Sequence, residues 1–228
     1  IAKHPLIDKI SFTGETSTGA KLMKAGADHV KRISLELGGK SPNIIFADAD
    51  LPKAAAAAVH GAFGNAGQSC SARTRVFVQR EVHDEFIRLY RDAAAKFKVG
   101  DPLDPDTDMG PLVSVEQWRT VKSYVTLGER EGGTVVCGGD RPQGLDAGLA
   151  NGSYFSPTIL RGISNNARVA REEIFGPVAV VMAFKDEAEA ITLANDNDYG
   201  LNGSIWTRDI GRALRVAKRV KSGMISIN

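Results

Sequence analysis

Along this chain, segments with a strand-like pattern of apolar residues alternate with segments in which apolar residues have helical spacing. Short apolar runs flanked by Gly, Pro, Asn or Asp are typical of strands, and apolar residues three or four positions apart are typical of helices. Strands are predicted at residues 7–13, 32–37, 43–46, 75–79, 134–137, 154–160, 178–184, 201–207 and 223–228. Because helical segments separate these strands, the pattern predicts an α/β fold with a doubly wound, mostly parallel sheet and flanking helices.

Local signatures refine two of the helices. Ser114 with Gln117 three residues later predicts a capping box, in which each side chain bonds a backbone amide of the other residue. In the first helix, Ala20, Met23 and Ala27 are spaced to lie on one face. The second prediction depends on spacing alone.

Composition narrows the class of protein. The chain has 228 residues, of which 43% are hydrophobic and 25% charged, as in a globular domain with a sizeable core. A net charge of +2 favours neither nucleic acid nor a membrane surface as a partner. Two cysteines are too few for a disulfide framework, so we expect a reducing, cytoplasmic location. The four histidines and two cysteines show no metal-ligand spacing, and no metal site is predicted.

Cys70 is the first candidate for chemistry. It lies in the run GNAGQSCSAR, a polar, turning loop in which backbone amides and Arg73 would favour the thiolate. The alternative is a small buried core residue, which is how we interpret Cys137 in its strand. A Cys70–His60 dyad is a further alternative, in which His60 would act from the preceding Ala-rich helix.

Two further stretches are candidates for chemistry in the first forty residues. Glu36 ends a predicted strand beside two glycines, where partial burial would suit a general base; the alternative is a surface glutamate. Gly14 to Gly19 lies between a strand and a helix, where backbone amides can approach a phosphate. Its spacing misses both the Walker and the three-glycine fingerprints, so a plain strand–helix turn is the alternative.

The run REEIFGP at residues 171–177 is the last candidate. Its two adjacent carboxylates could bind ribose hydroxyls, and its aromatic residue could flank a flat ring. The alternative is an acidic loop with Phe175 as a core anchor. A stripe of arginines between 208 and 219 is interpreted as a solvated helix face.

Three of these stretches together resemble the NAD(P)-dependent aldehyde dehydrogenase superfamily. The stretches are LELGGKSP at 35–42, GQSC at 67–70 and EEIFGP at 172–177, and the similarity extends over essentially the whole chain. The resemblance implies a Cys70 nucleophile that forms a thiohemiacetal and then a thioester, and a Glu36 that activates the deacylating water. It also implies a cofactor, NAD or NADP, a small-molecule aldehyde substrate, and a homo-oligomer.

The resemblance also implies which residues contact the cofactor. The turn from Gly14 to Gly19 would border its pyrophosphate and nicotinamide side, Glu173 would hold the nicotinamide ribose, and Phe175 would pack beside the ring. The implied cofactor-binding residues are Gly14, Glu15, Thr16, Gly19, Leu37, Glu173 and Phe175. Glu15 stands where many relatives carry a small residue.

The resemblance further divides the chain into residues 1–37, the end of a dinucleotide-binding domain, and residues 38–228, a truncated catalytic domain. The chain starts without methionine and closes on a strand, so we expect a fragment that is impaired or inactive alone. Two other classes stay open: a non-catalytic scaffold on the same fold, and a cysteine hydrolase that needs no cofactor.

Overall fold

The structure is a computed structural model that describes residues 1–228. The chain forms two compact units, residues 1–39 and residues 40–228, and each is described by itself. The boundary falls two residues beyond the predicted one, and the roles assigned to the two parts stay predictions.

The first unit is a β-α-β arrangement. Strands β1 (Lys9–Thr13) and β2 (Arg32–Glu36) pair in parallel, and helix α1 (Thr16–Ala27) connects them. The face of α1 that carries Ala20, Met23 and Ala27 is exposed. The buried positions of α1 are two glycines, Gly19 and Gly26, whose missing side chains let the helix lie close to Leu37 and Ile33.

The second unit is built on a seven-stranded sheet. Its strands are β3 (Pro42–Ile45), β4 (Arg75–Gln79), β5 (Thr134–Cys137), β6 (Thr158–Arg161), β7 (Val178–Phe184), β8 (Asn202–Trp206) and β9 (Met224–Ile227). Their order is β5-β6-β7-β4-β3-β8-β9, and every pair is parallel except β5 with β6. This mostly parallel α/β sheet confirms the predicted fold class.

Helices flank this sheet. They are α2 (Leu51–Phe63), α3 (His83–Ala94), α4 (Val115–Arg130), the short α5 (Arg168–Arg171), α6 (Glu187–Asn195) and α7 (Ile210–Arg219). Side chains cap four of them at the N-terminus: those of Asp50, Ser114, Asp186 and Asp209. No helix is both long and apolar enough to cross a membrane.

Strand β6 is shorter than predicted. The sequence suggests a strand over 154–160, but pairing starts at Thr158. Pro157 has no N–H to donate to a neighbouring strand, so the apolar residues before it pack as a loop instead. Tyr154 and Phe155 are nonetheless buried, and the Trp118 indole donates to the Tyr154 carbonyl at 2.9 Å.

The topology brings two of the candidate motifs to the same edge of this sheet. Residues 64–74, with Cys70, lead directly into β4, and residues 172–177 lead directly into β7. Because β4 and β7 are parallel neighbours, with Arg75 paired to Val180, the segments before them meet at the amino ends of the strands.

Candidate active site

A left-handed turn carries the chain from α2 into the Cys70 loop. Asn65, Ala66 and Gly67 have φ values of 53°, 54° and 68°. The Asn65 side chain fixes the turn by donating to the Gln68 carbonyl at 3.0 Å, and the Gln68 amide donates back to the Asn65 carbonyl at 3.1 Å. Left-handed backbone is unfavourable for residues with a Cβ, so this turn depends on its packing.

That packing joins the Cys70 loop to the 172–177 segment. A Cβ on Gly67 would lie 2.1 Å from the carbonyl oxygen of Gly176, so only glycine fits there. Gly176 is itself pressed against α4, where its own added Cβ would lie 2.3 Å from Val121 Cγ2. Two of the three predicted motifs are therefore in direct backbone contact.

Cys70 is half-buried on this loop, and its thiol is free. The Cys70 backbone N–H donates to no acceptor within the chain. Its two neighbours bond each other, Ser69 Oγ to Ser71 Oγ at 3.0 Å, and Asn202 of β8 donates to the Ser71 carbonyl at 3.4 Å. The Arg73 guanidinium, expected near the thiol, lies against Gly61 of α2.

The two carboxylates of the 172–177 segment have different surroundings. Glu172 accepts from the Tyr124 hydroxyl at 2.7 Å and from Arg168, with Nε to Oε1 at 2.7 Å and Nη2 to Oε2 at 3.0 Å. These bonds, first that of Arg168, hold the pKa of Glu172 below its usual value, and burial together with Glu172 raises the pKa of Tyr124 to about 12. Glu172 thus anchors α5 to α4, and the charge of Glu173 acts on the buried Lys40.

Lys40 is a residue that sequence reasoning missed. It is 2% exposed, and burial, with the charge of Arg75, lowers its pKa to about 7, while Glu173 and Glu172 act in the opposite direction. Arg75, also buried, donates from Nε to the Lys40 carbonyl at 2.8 Å. The sequence offered a cue for Arg75, the first residue of the apolar strand β4, whereas Lys40 lies two residues before β3.

Phe175 is not a core anchor. It is 43% exposed and has a φ of 54°, while Ile174 before it and Gly176 and Pro177 after it are buried. A large exposed aromatic ring is a flat apolar surface on which a planar group can stack.

The first unit carries the remaining candidates. Glu36 ends β2 and is exposed, so burial does not favour the general-base role that the sequence suggested. The Gly14 amide donates to the Glu36 carbonyl at 3.0 Å, and the chain then enters α1 at Thr16. Glu15 is the N-cap of α1 but makes no side-chain capping bond. The Thr18 and Gly19 amides donate to the Glu15 carbonyl at 3.1 Å, so the amides available to another acceptor are those of Thr16 and Ser17.

The contacts of Gly19 and Leu37 are with each other. A Cβ on Gly19 would lie 2.8 Å from Leu37 Cδ2, so both residues are used in packing α1 onto β2. Neither residue has a contact in the structure that indicates a ligand.

The structure does not favour a Cys70–His60 dyad. His60 is exposed on α2, and its ring packs edge-on against Phe97 at 5.1 Å. Cys137 is half-buried at the end of β5, as expected of a packing residue, and burial raises the pKa of its thiol. No group of three or more His, Cys, Asp or Glu residues could hold a metal ion.

Comparison with known proteins decides the family. The profile described as "Aldehyde dehydrogenase family" matches residues 1–228. The chain belongs to the aldehyde dehydrogenase family. It is 44% identical over 229 residues to 5-carboxymethyl-2-hydroxymuconate semialdehyde dehydrogenase of Escherichia coli, covering 100% of this chain and 48% of that protein. It is also 44% identical over 228 residues to betaine aldehyde dehydrogenase of Bacillus subtilis, covering 100% and 46%.

A solved member of the aldehyde dehydrogenase family has the same fold. The crystal structure of betaine aldehyde dehydrogenase from Staphylococcus aureus in complex with NAD+ matches with a TM-score of 0.95 and 43% identity. The match covers 99% of this chain and 44% of that one. The chain thus spans about half the length of the aldehyde dehydrogenases it matches.

Proposed function

We propose that the protein to which this chain belongs oxidises an aldehyde to a carboxylic acid with NAD or NADP, through a Cys70 thioester that Glu36 helps to hydrolyse. The observation that carries the proposal is the contact between the Cys70 loop and the 172–177 segment at Gly67 and Gly176. This contact supports the proposal, because it joins the loop that carries Cys70 to the segment that carries Glu173 and Phe175. Family membership supports it.

The residues present suit a nicotinamide dinucleotide. Glu173 offers a carboxylate to ribose hydroxyls, and the exposed ring of Phe175 offers a flat apolar surface. The uncapped first turn of α1, after Gly14, offers amides to a phosphate. Glu15, Thr16, Gly19 and Leu37 stay predicted cofactor neighbours, on the strength of the resemblance. When bound, NAD(P)+ accepts the hydride that leaves the aldehyde carbon.

Cys70 makes and breaks the covalent bond to the substrate. Its thiolate Sγ bonds the aldehyde carbonyl carbon, and the carbonyl π electrons move onto the oxygen, giving a thiohemiacetal anion. The free Cys70 backbone N–H is a suitable donor to that oxygen, and such donors contribute about 3–4 kcal/mol in other enzymes. Loss of hydride from the same carbon restores the C=O bond and leaves a thioester.

Glu36 is assigned to the second half of the reaction. Its carboxylate accepts a proton from water as the water oxygen bonds the thioester carbon; the C–S bond then breaks and Cys70 leaves as thiolate. Once Glu36 releases its proton to solvent, the products are a carboxylic acid and free enzyme. The covalent intermediate thus splits one difficult reaction into two easier steps.

The first test is reduction of NAD+ and NADP+ against a panel of small aldehydes. It is done with this chain and with a longer polypeptide that includes it and has the length of the relatives. Turnover that disappears in Cys70→Ala supports the proposal. A longer polypeptide that reduces neither cofactor would favour the non-catalytic scaffold. Ester cleavage by Cys70 without aldehyde oxidation would favour the cysteine hydrolase.

The role of Glu36 has a test of its own. Glu36→Gln removes the proton acceptor but keeps the side-chain shape, so we expect the first turnover to proceed and steady-state turnover to fall by about 10²–10⁴-fold. Stopped-flow measurement of a burst of reduced cofactor, with acyl-enzyme detected by mass spectrometry, shows this directly. An unchanged steady-state rate would remove Glu36 from the mechanism.

Other properties of the protein are proposed on the same basis. The first unit would be the end of the cofactor domain and the second the catalytic domain. The resemblance also implies a homo-oligomer, and the low cysteine count a cytoplasmic location.

A further inference from the structure

The conformation of Phe175 needs an explanation beyond its own sequence. A bulky aromatic residue with φ of 54° is in a region that L-residues rarely adopt. Such a conformation persists only where surrounding groups hold it, and it is common at ligand sites. Groups packed around the segment must therefore hold Phe175 in this conformation.

Gln117 supplies that contact from the first turn of α4. Its side-chain Nε2 donates to the carbonyl of Ile174 at 2.9 Å and to the carbonyl of Phe175 at 2.7 Å. One amide group thus bonds the peptide on each side of the left-handed residue. These two acceptors are backbone atoms that do not move with the Phe175 ring, so the bonds fix the direction in which the ring leaves the chain.

The capping box predicted for α4 forms only in part, and this frees the Gln117 side chain. The Ser114 hydroxyl accepts from the Gln117 backbone amide at 3.2 Å, as expected. The side chain of Gln117 does not complete the box by bonding Ser114, and turns to the 174–175 carbonyls instead. These side-chain bonds to residues 174 and 175 are not needed to cap α4.

The same end of α4 also touches the nucleophile loop. The Val113 amide, two residues before α4, donates to the Gln68 side-chain Oε1 at 2.9 Å. Gln68 lies two residues before Cys70, and Gly67 packs against Gly176. The start of α4 is therefore a common support for the Cys70 loop and for Phe175.

We infer that Gln117 is a positioning residue that holds Phe175 in its left-handed conformation and so presents its ring to the nicotinamide side of the cofactor. The inference rests on the proposed function for the identity of the ligand. Gln117 acts here through the backbone of residues 174–175. Removing the Gln117 side chain should loosen that segment, and it should weaken cofactor binding more than it changes KM for the aldehyde.

Two variants and one control test the inference. Gln117→Met keeps an unbranched side chain of similar size without donors, and Gln117→Glu places an acceptor against two carbonyls. Thr120→Ala is the matched control, because its hydroxyl bonds only the Glu116 carbonyl within the same helix. Melting temperatures identify any variant that has lost its fold, and such a variant is replaced by Gln117→Leu.

The deciding readout is hydrogen exchange of the peptide covering 172–178, measured by mass spectrometry without substrate or cofactor. We expect exchange to rise by about tenfold in both Gln117 variants, the effect of losing about 1.4 kcal/mol of hydrogen bonding, and not in Thr120→Ala. The dissociation constant for NAD+ should rise by a similar factor, with KM for the aldehyde changed less than about twofold.

The pH dependence of Gln117→Glu sharpens the test. When its carboxyl is protonated it regains one donor, so cofactor affinity near pH 5 should recover part of the loss relative to Gln117→Met. A merely structural residue would give both variants the same dependence on pH.

Two results would overturn the inference: unchanged exchange at 172–178 in both variants, or raised exchange with unchanged NAD+ affinity. A wild-type protein that binds and reduces no cofactor refutes the proposed function instead. The exchange rates still decide whether Gln117 holds the segment, because they require no turnover.

Discussion

The two cysteine-bearing segments of the second unit share one feature, a left-handed glycine packed against a backbone carbonyl, but they differ in how the cysteine backbone is bonded. Near Cys70, left-handed Gly67 packs against the carbonyl of Gly176; next to Cys137, left-handed Gly138 would place a Cβ 2.2 Å from the carbonyl of Pro157. In both places the missing side chain lets two backbones touch. The same packing therefore says nothing by itself about chemistry.

The difference lies in the backbone that carries each thiol. Cys137 is part of strand β5 and pairs with Ile159, so its backbone is used in the sheet. Cys70 is on a loop where its backbone N–H has no acceptor in the chain. A thiolate can attack a carbonyl carbon, and a free backbone N–H beside it can donate a hydrogen bond to the oxyanion that results. The two thiols are both half-buried, so the segments differ in the availability of a backbone donor and not in burial.

Replacing each thiol in turn gives the largest expected difference. In the longer polypeptide that includes this chain, Cys70→Ala should lower kcat/KM for the proposed aldehyde oxidation by at least about 10³-fold, since the covalent route is lost. Cys137→Ala, its matched control, should stay within about twofold. Steady-state cofactor reduction measures both. Equal losses in the two variants would erase the distinction between the segments.

Adding a methyl group to each glycine separates packing from chemistry. Gly67→Ala and Gly138→Ala should each lower the free energy of unfolding by about 2–5 kcal/mol, from left-handed strain and overpacking together. Urea unfolding followed by circular dichroism measures this. Under conditions where both variants are folded, only Gly67→Ala should lose activity. Loss of activity in folded Gly138→Ala would show that the β5 end also matters to the site.

The smallest expected effect is in the titration of Cys137. Burial raises the pKa of this thiol above its ordinary value of about 8.5. Below that pH both the folded and the unfolded chain keep the proton. As the pH rises past it, the unfolded chain loses the proton first, so the free energy of unfolding falls until the native thiol also ionises.

This titration is measured by urea unfolding between pH 7.5 and pH 10, with Cys137→Ala as the control that lacks this contribution. Alkylation of Cys137 at pH 8 should likewise be slower in the folded chain than in urea. Equal slopes in the two proteins would contradict a raised pKa.

The sequence by itself determined much of this molecule. Helix and strand positions follow from hydrophobic period, because one buried face is enough to specify an element. Cys70, Glu173 and Phe175 were identifiable because their motifs are contiguous in the chain. The capping residue Ser114 likewise acts on an amide three positions away, a local interaction that spacing predicts.

Only the tertiary structure decided which of these residues meet, and what the others do. The contact of Gly67 with Gly176 joins positions more than a hundred residues apart, and it depends on β4 and β7 being neighbours. The side chain of Gln117, predicted to bond its own helix, reaches Phe175 instead. Such contacts depend on strand order, which a local pattern does not encode. Glu36 shows the same limit, because its exposure is a property of the folded unit.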